Sequence, residues 1–129
     1  MQQYDKGYGV ITNTLRWKDD AGDILVKMFG PNLVEEYGDE LAENPLKDFL
    51  LEHGGLETLL CEVINENENL EPDTFCFADS CIYVSATIPL NAQCKEKMLT
   101  IQDIDRILKK YLSQLTKGKV ETTWLDVAW

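Results

Sequence analysis

The stretch DTFCFADSCIYVSATIPL, residues 73–90, decides the fold. Large apolar residues alternate with smaller or polar ones on both sides of Asp79-Ser80, which predicts a β-hairpin with that dipeptide as its turn. In this register Phe75 faces Val84 and Phe77 faces Ile82. One face of the hairpin then carries Phe75, Phe77, Ile82, Val84, Ala86 and Ile88, and the other carries Cys76, Ala78, Cys81, Tyr83, Ser85 and Thr87. A sheet with one apolar face is expected to pack against helices on that face.

Cys76 and Cys81 are five positions apart, a spacing that raises the questions of a disulfide, a metal site and a redox pair. In the predicted register they are diagonal neighbours on adjacent strands, about 7–8 Å apart, which is beyond comfortable disulfide reach. The chain also has no C-x2-C pair of the kind that zinc sites use. We therefore interpret both cysteines as small structural residues.

Downstream of the hairpin, apolar residues recur at helical spacing from Ile101 to Leu115. Thr100 and Asp103 resemble a capping box, which places the start of this helix at residue 100. The stretch KVETTWLDV, residues 119–127, is rich in β-formers and predicts a last strand. We expect the helix at 100–116 to cover the apolar face of the hairpin.

Upstream, two β-like runs at residues 8–17 and 24–29 flank the turn-forming cluster KDDAGD. This pattern predicts a first hairpin, with Asp19, Asp20 and Asp23 serving turn chemistry. The three aspartates lack the alternating ligands and terminal glutamate of an EF-hand calcium loop.

Residues 31–72 predict two or three helices between the two hairpins. The first begins at Pro31 and is weakened by Gly38, the second begins at Asn44-Pro45 and ends at Gly54, and the third begins at Gly55. The polar run NENENLEPD, residues 65–73, predicts a loop.

These elements predict one α+β domain spanning residues 1–129, with the acidic helical segment 31–72 inserted between two hairpins. The sheet is expected to be antiparallel or mixed, with about five strands and helices on one face. Counted from the second strand of the first hairpin, the order is β-α-β-β-α-β, a ferredoxin-like order with an extra N-terminal strand.

The net charge of −11 is confined to one part of the chain. Residues 31–72 hold twelve acids and one base, Lys47, whereas the residues on either side balance to zero. Such a surface repels nucleic acid and anionic membranes and attracts a basic protein partner. An acidic surface can equally serve solubility alone.

The acids of this segment are spaced four apart within the predicted helices, as Glu35 and Asp39 illustrate, so like charges share a face. Only Lys47 lies near enough in the sequence to neutralise them. The candidate partner-binding residues are Glu35, Glu36, Asp39, Glu40, Glu43, Asp48 and Glu52.

The sequence contains no nucleotide-binding or nucleophile motif. His53, the single histidine, lies beside two glycines at a predicted helix end, and we expect a structural or exposed role for it. We therefore expect no catalytic residue, no cofactor and no metal. No apolar run is long enough to span a membrane, and MQQYDKGYG lacks the features of a secretory signal, so a cytoplasmic location is expected.

The first hypothesis is a non-enzymatic protein that binds a basic surface, for example an inhibitor of a nucleic-acid-binding protein of the immunity or anti-defence type. The second is a small-ligand module or thiol enzyme that uses Cys81, Tyr83 and Ser85 on the mixed face of the hairpin. The third is a structural or adaptor subunit, with a dimer through the last strand and the chain end, which carry Trp124 and Trp129. The sequence leaves monomer and homodimer open.

Overall fold

A computed structural model describes residues 4–85 and 99–128, which form a single α+β domain. Its strands are β1 (Tyr4–Ile11), β2 (Arg16–Trp17), β3 (Phe75–Ala78), β4 (Cys81–Ser85), β5 (Thr116–Lys117) and β6 (Thr123–Ala128). Its helices are α1 (Ala21–Lys27), α2 (Pro31–Glu43), α3 (Leu46–Glu52), α4 (Leu56–Asn67) and α5 (Ile101–Leu115). Predictions about Ala86, Thr87, Ile88 and Trp129 lie outside the described residues.

The four longer strands form an antiparallel sheet in the order β3-β4-β1-β6. Along the chain these strands and the helices between them follow the order β-α-β-β-α-β, with β1 in the place of the first strand that was predicted at residues 24–29. The short strands β2 and β5 pair separately. The hairpin register is confirmed, since Phe75 pairs with Val84 and Phe77 with Ile82. Asp79 and Ser80 form the turn, both with positive φ angles as a type I′ turn requires.

The predicted hairpin around residues 18–23 is wrong, because residues 24–29 do not form a strand. Ala21–Lys27 is helix α1, and the first strand of the sheet is β1, with no extra strand before it in the described residues. Ala21 and Leu25 are buried one helical turn apart, and Ile24 and Met28 pack on the same core. Burial at a spacing of four therefore outweighs the β-propensity of this segment.

The acidic segment forms three helices, where two or three were predicted, but their boundaries differ from the prediction. Helix α2 continues unbroken through Gly38. Asn44 does not begin α3; its Nδ2 donates to the carbonyl of Glu40, 3.2 Å away, at the end of α2. Helix α4 extends to Asn67, into the run predicted to be a loop. Its Asn65 is buried and hydrogen-bonded to Phe75, so a polar residue belongs to the packed face.

The predicted capping box of α5 is confirmed. The Thr100 hydroxyl accepts from the Asp103 N–H at 3.1 Å, and the Asp103 carboxylate accepts from the Thr100 N–H at 3.0 Å. Helix α5 buries Ile104, Ile107, Leu108, Tyr111, Leu112 and Leu115. It lies mainly against β1, whereas α4 lies against β3. The apolar face of the hairpin is thus covered in part by the acidic segment rather than by α5 alone.

Glu68, just after α4, joins that helix to α5. Its Oε2 accepts hydrogen bonds from Lys110 Nζ at 2.9 Å and from the Tyr111 hydroxyl at 2.7 Å. Burial alone would raise the pKa of Glu68, but the two hydrogen bonds together with the positive charges of Lys110 and Arg106 outweigh it and hold that pKa below its ordinary value. The acidic segment is therefore fixed to the sheet-covering helix by a charged contact.

The opposite face of the sheet carries a second buried cluster, formed by Cys81, Tyr83, Leu125 and Val127. Glycines on β1 permit the close packing here: a Cβ on Gly7 would lie 2.3 Å from a ring carbon of Tyr83. Among the described helices, none combines the length and apolar character needed to cross a membrane.

Candidate interaction surface

The seven acids predicted to bind a partner all lie on α2 and α3. Six are exposed, and Glu40 is intermediate in exposure. Helical spacing places Glu35 and Asp39 on the outermost side of α2, with Glu36, Glu40 and Glu43 on the adjoining side. Asp48 and Glu52 share a face of α3. The two helices contact each other, and their acids meet where Glu40 approaches Glu52 within 4.8 Å.

The acids of this surface have few cationic neighbours. Within residues 4–85 and 99–128, the only contact between one of the seven and a basic side chain joins Glu40 to His53, an ion pair when the imidazole is protonated. Lys47 lies on α3 but forms no ion pair with them. The negative charge is therefore largely uncompensated where it faces solvent.

The helix ends increase this charge imbalance. Glu40 and Glu43 lie in the last turn of α2 and Glu52 ends α3, and neither last turn contains a base. The C-terminal end of a helix carries partial negative charge, so carboxylates at that position are unfavourable. These three acids are thus placed where they weaken their helices, whereas Asp48 lies in the first turn of α3, where an acid is favourable.

A groove of about 410 Å³ between α2, α4 and β3 extends the acidic surface. Four carboxylates line it, those of Glu36, Glu62, Glu66 and Asp73. Its wall also includes the apolar side chains of Leu33, Leu70, Phe75 and Phe77. Only Glu36 was predicted. The spacing of four between Glu62 and Glu66 on α4 is a sequence signal that could have added these two to the set.

Tyr37 connects the groove to the core. Its hydroxyl donates to Glu62 Oε1 at 3.1 Å, and its ring is buried. Burial, followed by the charge and hydrogen bond of Glu62, raises the pKa of Tyr37. The hydroxyl therefore stays protonated and holds the Glu62 carboxylate in place.

A second, more apolar groove of about 360 Å³ lies between α1 and α3. Leu46, Leu50 and Leu51 contribute to it, and its rim includes Asp19 and Asp23. The Leu51 side chain is 71% exposed. The acidic helix α3 therefore also presents apolar surface.

His53 has more contacts than the sequence indicated. Its Nε2 lies 2.9 Å and 3.0 Å from the two carboxylate oxygens of Glu40. Its ring packs against Tyr37 and Phe49, with ring centroids 4.9 Å and 4.6 Å away. Because Glu40 lies on α2 and His53 directly follows α3, no spacing rule could have found this pair.

The residues of the second hypothesis are buried. Cys81, Tyr83 and Ser85 are all less than a tenth exposed. Burial raises the pKa of the Cys76 and Cys81 thiols, which disfavours the thiolate that a nucleophilic cysteine needs. The Ser85 hydroxyl donates to the buried carboxylate of Asp5. Both cysteines are free, as expected from the diagonal register.

The chain matches no protein-family model, no curated protein and no solved structure.

Proposed function

We propose that this chain is a non-enzymatic binding protein whose helices α2 and α3 dock on a basic surface of a partner protein. The observation that carries the proposal is the exposed set of acids on these helices, of which only Glu40 has an ion-pair partner among the described residues. Cations on a partner would supply the missing counter-charges.

The cost of this arrangement supports a role in binding. Four like-charged pairs at a spacing of four, such as Glu35 and Asp39, each destabilise their helix by roughly 0.2–0.5 kcal/mol. Acids in the last turns of α2 and α3 add an unfavourable interaction with the helix dipole. A surface that served solubility alone could carry its acids at the first turns, where they would stabilise the helices.

Apolar side chains on the same two helices complete the features of an interface. Val34 on α2 is 55% exposed and Leu51 on α3 is 71% exposed. Protein interfaces combine an apolar centre with a polar rim, so these side chains would supply buried contact within the charged surface. The acids would mainly accelerate association and select a basic partner.

The class of partner follows from the sign and density of the charge. Proteins that bind nucleic acids carry clustered Lys and Arg side chains that contact phosphates. Carboxylates spaced along α2 and α3 can occupy such a site and exclude its nucleic acid. The proposed function is therefore inhibition of a nucleic-acid-binding protein.

Charge reversal of Glu35, Asp39 and Asp48 to lysine tests the proposal. These three side chains are exposed, and none of them forms an ion pair or a side-chain hydrogen bond within the described residues. The triple variant should lose a basic partner that the wild-type protein captures from host extract. The captured protein, once purified, should also release its nucleic acid when the wild-type chain is added.

A matched control reverses three acids elsewhere: Asp20, Glu121 and Asp126, all exposed. Each triple reversal changes the net charge by +6, from −11 to −5, so both variants have the same overall charge. The control should capture the partner as the wild-type chain does. Equal loss in both variants would indicate net charge alone, and equal capture by both would contradict the proposed surface.

A further inference from the structure

One histidine and two glutamates meet where α3 ends against α2. His53 follows the last residue of α3, Glu52, and its ring is held between Tyr37 and Phe49. This packing aims Nε2 at Glu40, whose two oxygens lie 2.9 Å and 3.0 Å away. The ring is thus oriented by the core, while 26% of the side chain remains exposed to solvent.

Glu52 brings a third ligand atom to the same place. One atom from each of Glu40, Glu52 and His53 lies within 4.8 Å of the other two. In a tetrahedral zinc site with bonds of about 2.0–2.2 Å, neighbouring ligand atoms are about 3.4 Å apart. The histidine and Glu40 already have a spacing close to that value. Glu52 is exposed, so its side chain can rotate to close the remaining distance.

The donor set favours a particular class of ion. Imidazole nitrogen with carboxylate oxygens suits zinc and neighbouring divalent transition ions. Magnesium and calcium prefer ligand sets made of oxygen alone. The surrounding segment, residues 31–72, carries twelve acids and one base, so its negative potential attracts divalent cations. Among the described residues, no lysine or arginine pairs with the carboxylates of the cluster.

We propose that Glu40, Glu52 and His53 form a binding site for zinc or a similar divalent transition ion, with a fourth position open to solvent. Bound metal would replace the contact between His53 and Glu40 by bonds to both residues. It would also fix the end of α3 to α2. Two of its residues, Glu40 and Glu52, also belong to the proposed partner-binding surface. The two proposals are tested separately, because the charge-reversal variants above leave the three residues of the metal site unchanged.

The single histidine makes the test direct. Protein without a histidine tag is titrated with zinc while the imidazole signals are followed by NMR. One equivalent of zinc should shift the His53 nitrogen resonances, and a similar excess of magnesium should not. Unshifted imidazole signals at saturating zinc would overturn the proposal.

Two variants distinguish a specific zinc site from a general attraction of zinc to the acidic surface. Glu52→Gln should weaken zinc affinity at least tenfold, the lower end of the loss that follows removal of an outer-shell partner alone. Asp48→Asn is the matched control, because Asp48 lies on the same face of α3 without being part of the cluster. It should bind zinc as the wild-type protein does. Equal affinities in the two variants would contradict the assigned ligands.

Cobalt distinguishes this site from one built by the four cysteines. Cobalt bound by Glu40, Glu52 and His53 should lack the near-ultraviolet charge-transfer absorption that thiolate ligands give. Strong absorption of that kind, retained in His53→Gln, would assign the metal to cysteines and refute the proposal. Circular dichroism of each variant checks that its helices are intact.

Discussion

Asn65 provides the sharpest test of how the acidic segment is fixed to the sheet. It lies in α4 with 8% of its surface exposed, and its side chain bonds both backbone groups of Phe75. The Phe75 N–H donates to Asn65 Oδ1 at 2.9 Å, and Asn65 Nδ2 donates to the Phe75 carbonyl at 3.1 Å. Since β3 is the outer strand of its sheet, these bonds take the place of a neighbouring strand.

Asn65→Ala should therefore leave one buried donor and one buried acceptor without partners. An unsatisfied buried group costs about 1–3 kcal/mol, so the pair costs about 2–6 kcal/mol. Partial access of water favours the lower half of that range, and we expect a loss of about 3 kcal/mol. Such a loss is a large fraction of the total stability of a small domain, about 5–15 kcal/mol.

Asn67→Ala is the matched control, two residues along the same helix. Asn67 Nδ2 donates to the carbonyl of Met28 at 2.8 Å, but at an exposed position where water can replace it. Urea unfolding, followed by tryptophan fluorescence and circular dichroism, measures the free energy of unfolding of each variant and of the wild-type protein. All three proteins are expected to have the same m-value. Losses that agree within about 0.5 kcal/mol would refute the assigned role of Asn65.

Three other expectations can be measured by the same unfolding experiments. Gly9→Ala should lower the free energy of unfolding by about 3 kcal/mol, because the new Cβ would lie 2.0 Å from a carbonyl oxygen on the neighbouring strand. Gly38→Ala has open space around the new Cβ and should stabilise α2 by about 0.5–1 kcal/mol. A similar effect of both substitutions would contradict the packing described. Ser80→Gly should stabilise the chain by about 1 kcal/mol, because Ser80 has a φ of 56° in the hairpin turn, and a loss of stability would argue against that turn. Glu68→Gln should destabilise the protein at neutral pH, and the difference in stability from the wild-type protein should shrink as acid is added. The folded pKa of Glu68 lies below its ordinary value of 4.5. The contribution of Glu68 to stability is therefore complete above the unfolded pKa and is lost as the pH falls through the folded pKa. A difference that does not change with pH would contradict the charged contact.

The hairpin could be predicted because its alternation admits only one register. A shift by one residue would move Phe75 and Val84 to the other face, so the sequence specifies the pairing strongly. Helix α5 was predictable for a similar reason, since its cap and its apolar stripe agree. In both cases the decisive signal lies within one element.

Helix α1 was not predicted because its signals conflict. The run Ile24–Phe29 favours a strand by composition, whereas the burial of Ala21 and Leu25 follows helical spacing. Asp20, at the N-cap position before α1, was interpreted as part of a turn. The choice between helix and strand is decided by contacts with core residues distant in the sequence, which a short window of sequence does not contain.

The acidic residues of the candidate surface could be predicted, but their arrangement could not. Charge counting found Glu40 and Glu52, yet not their approach to His53, which depends on how α3 packs against α2. The buried Asn65 was missed for the same reason, because it lies within a polar run and only the packing of α4 on β3 gives it partners.

The central claim, that the acids of α2 and α3 bind a basic partner, is tested most directly by association rates measured against salt concentration. With the purified partner, the wild-type chain and the Asp20, Glu121 and Asp126 reversal control should associate rapidly, and more slowly as salt is added. The reversal of Glu35, Asp39 and Asp48 should associate at least about tenfold more slowly at low salt. Equal rates for the two triple variants would contradict the claim.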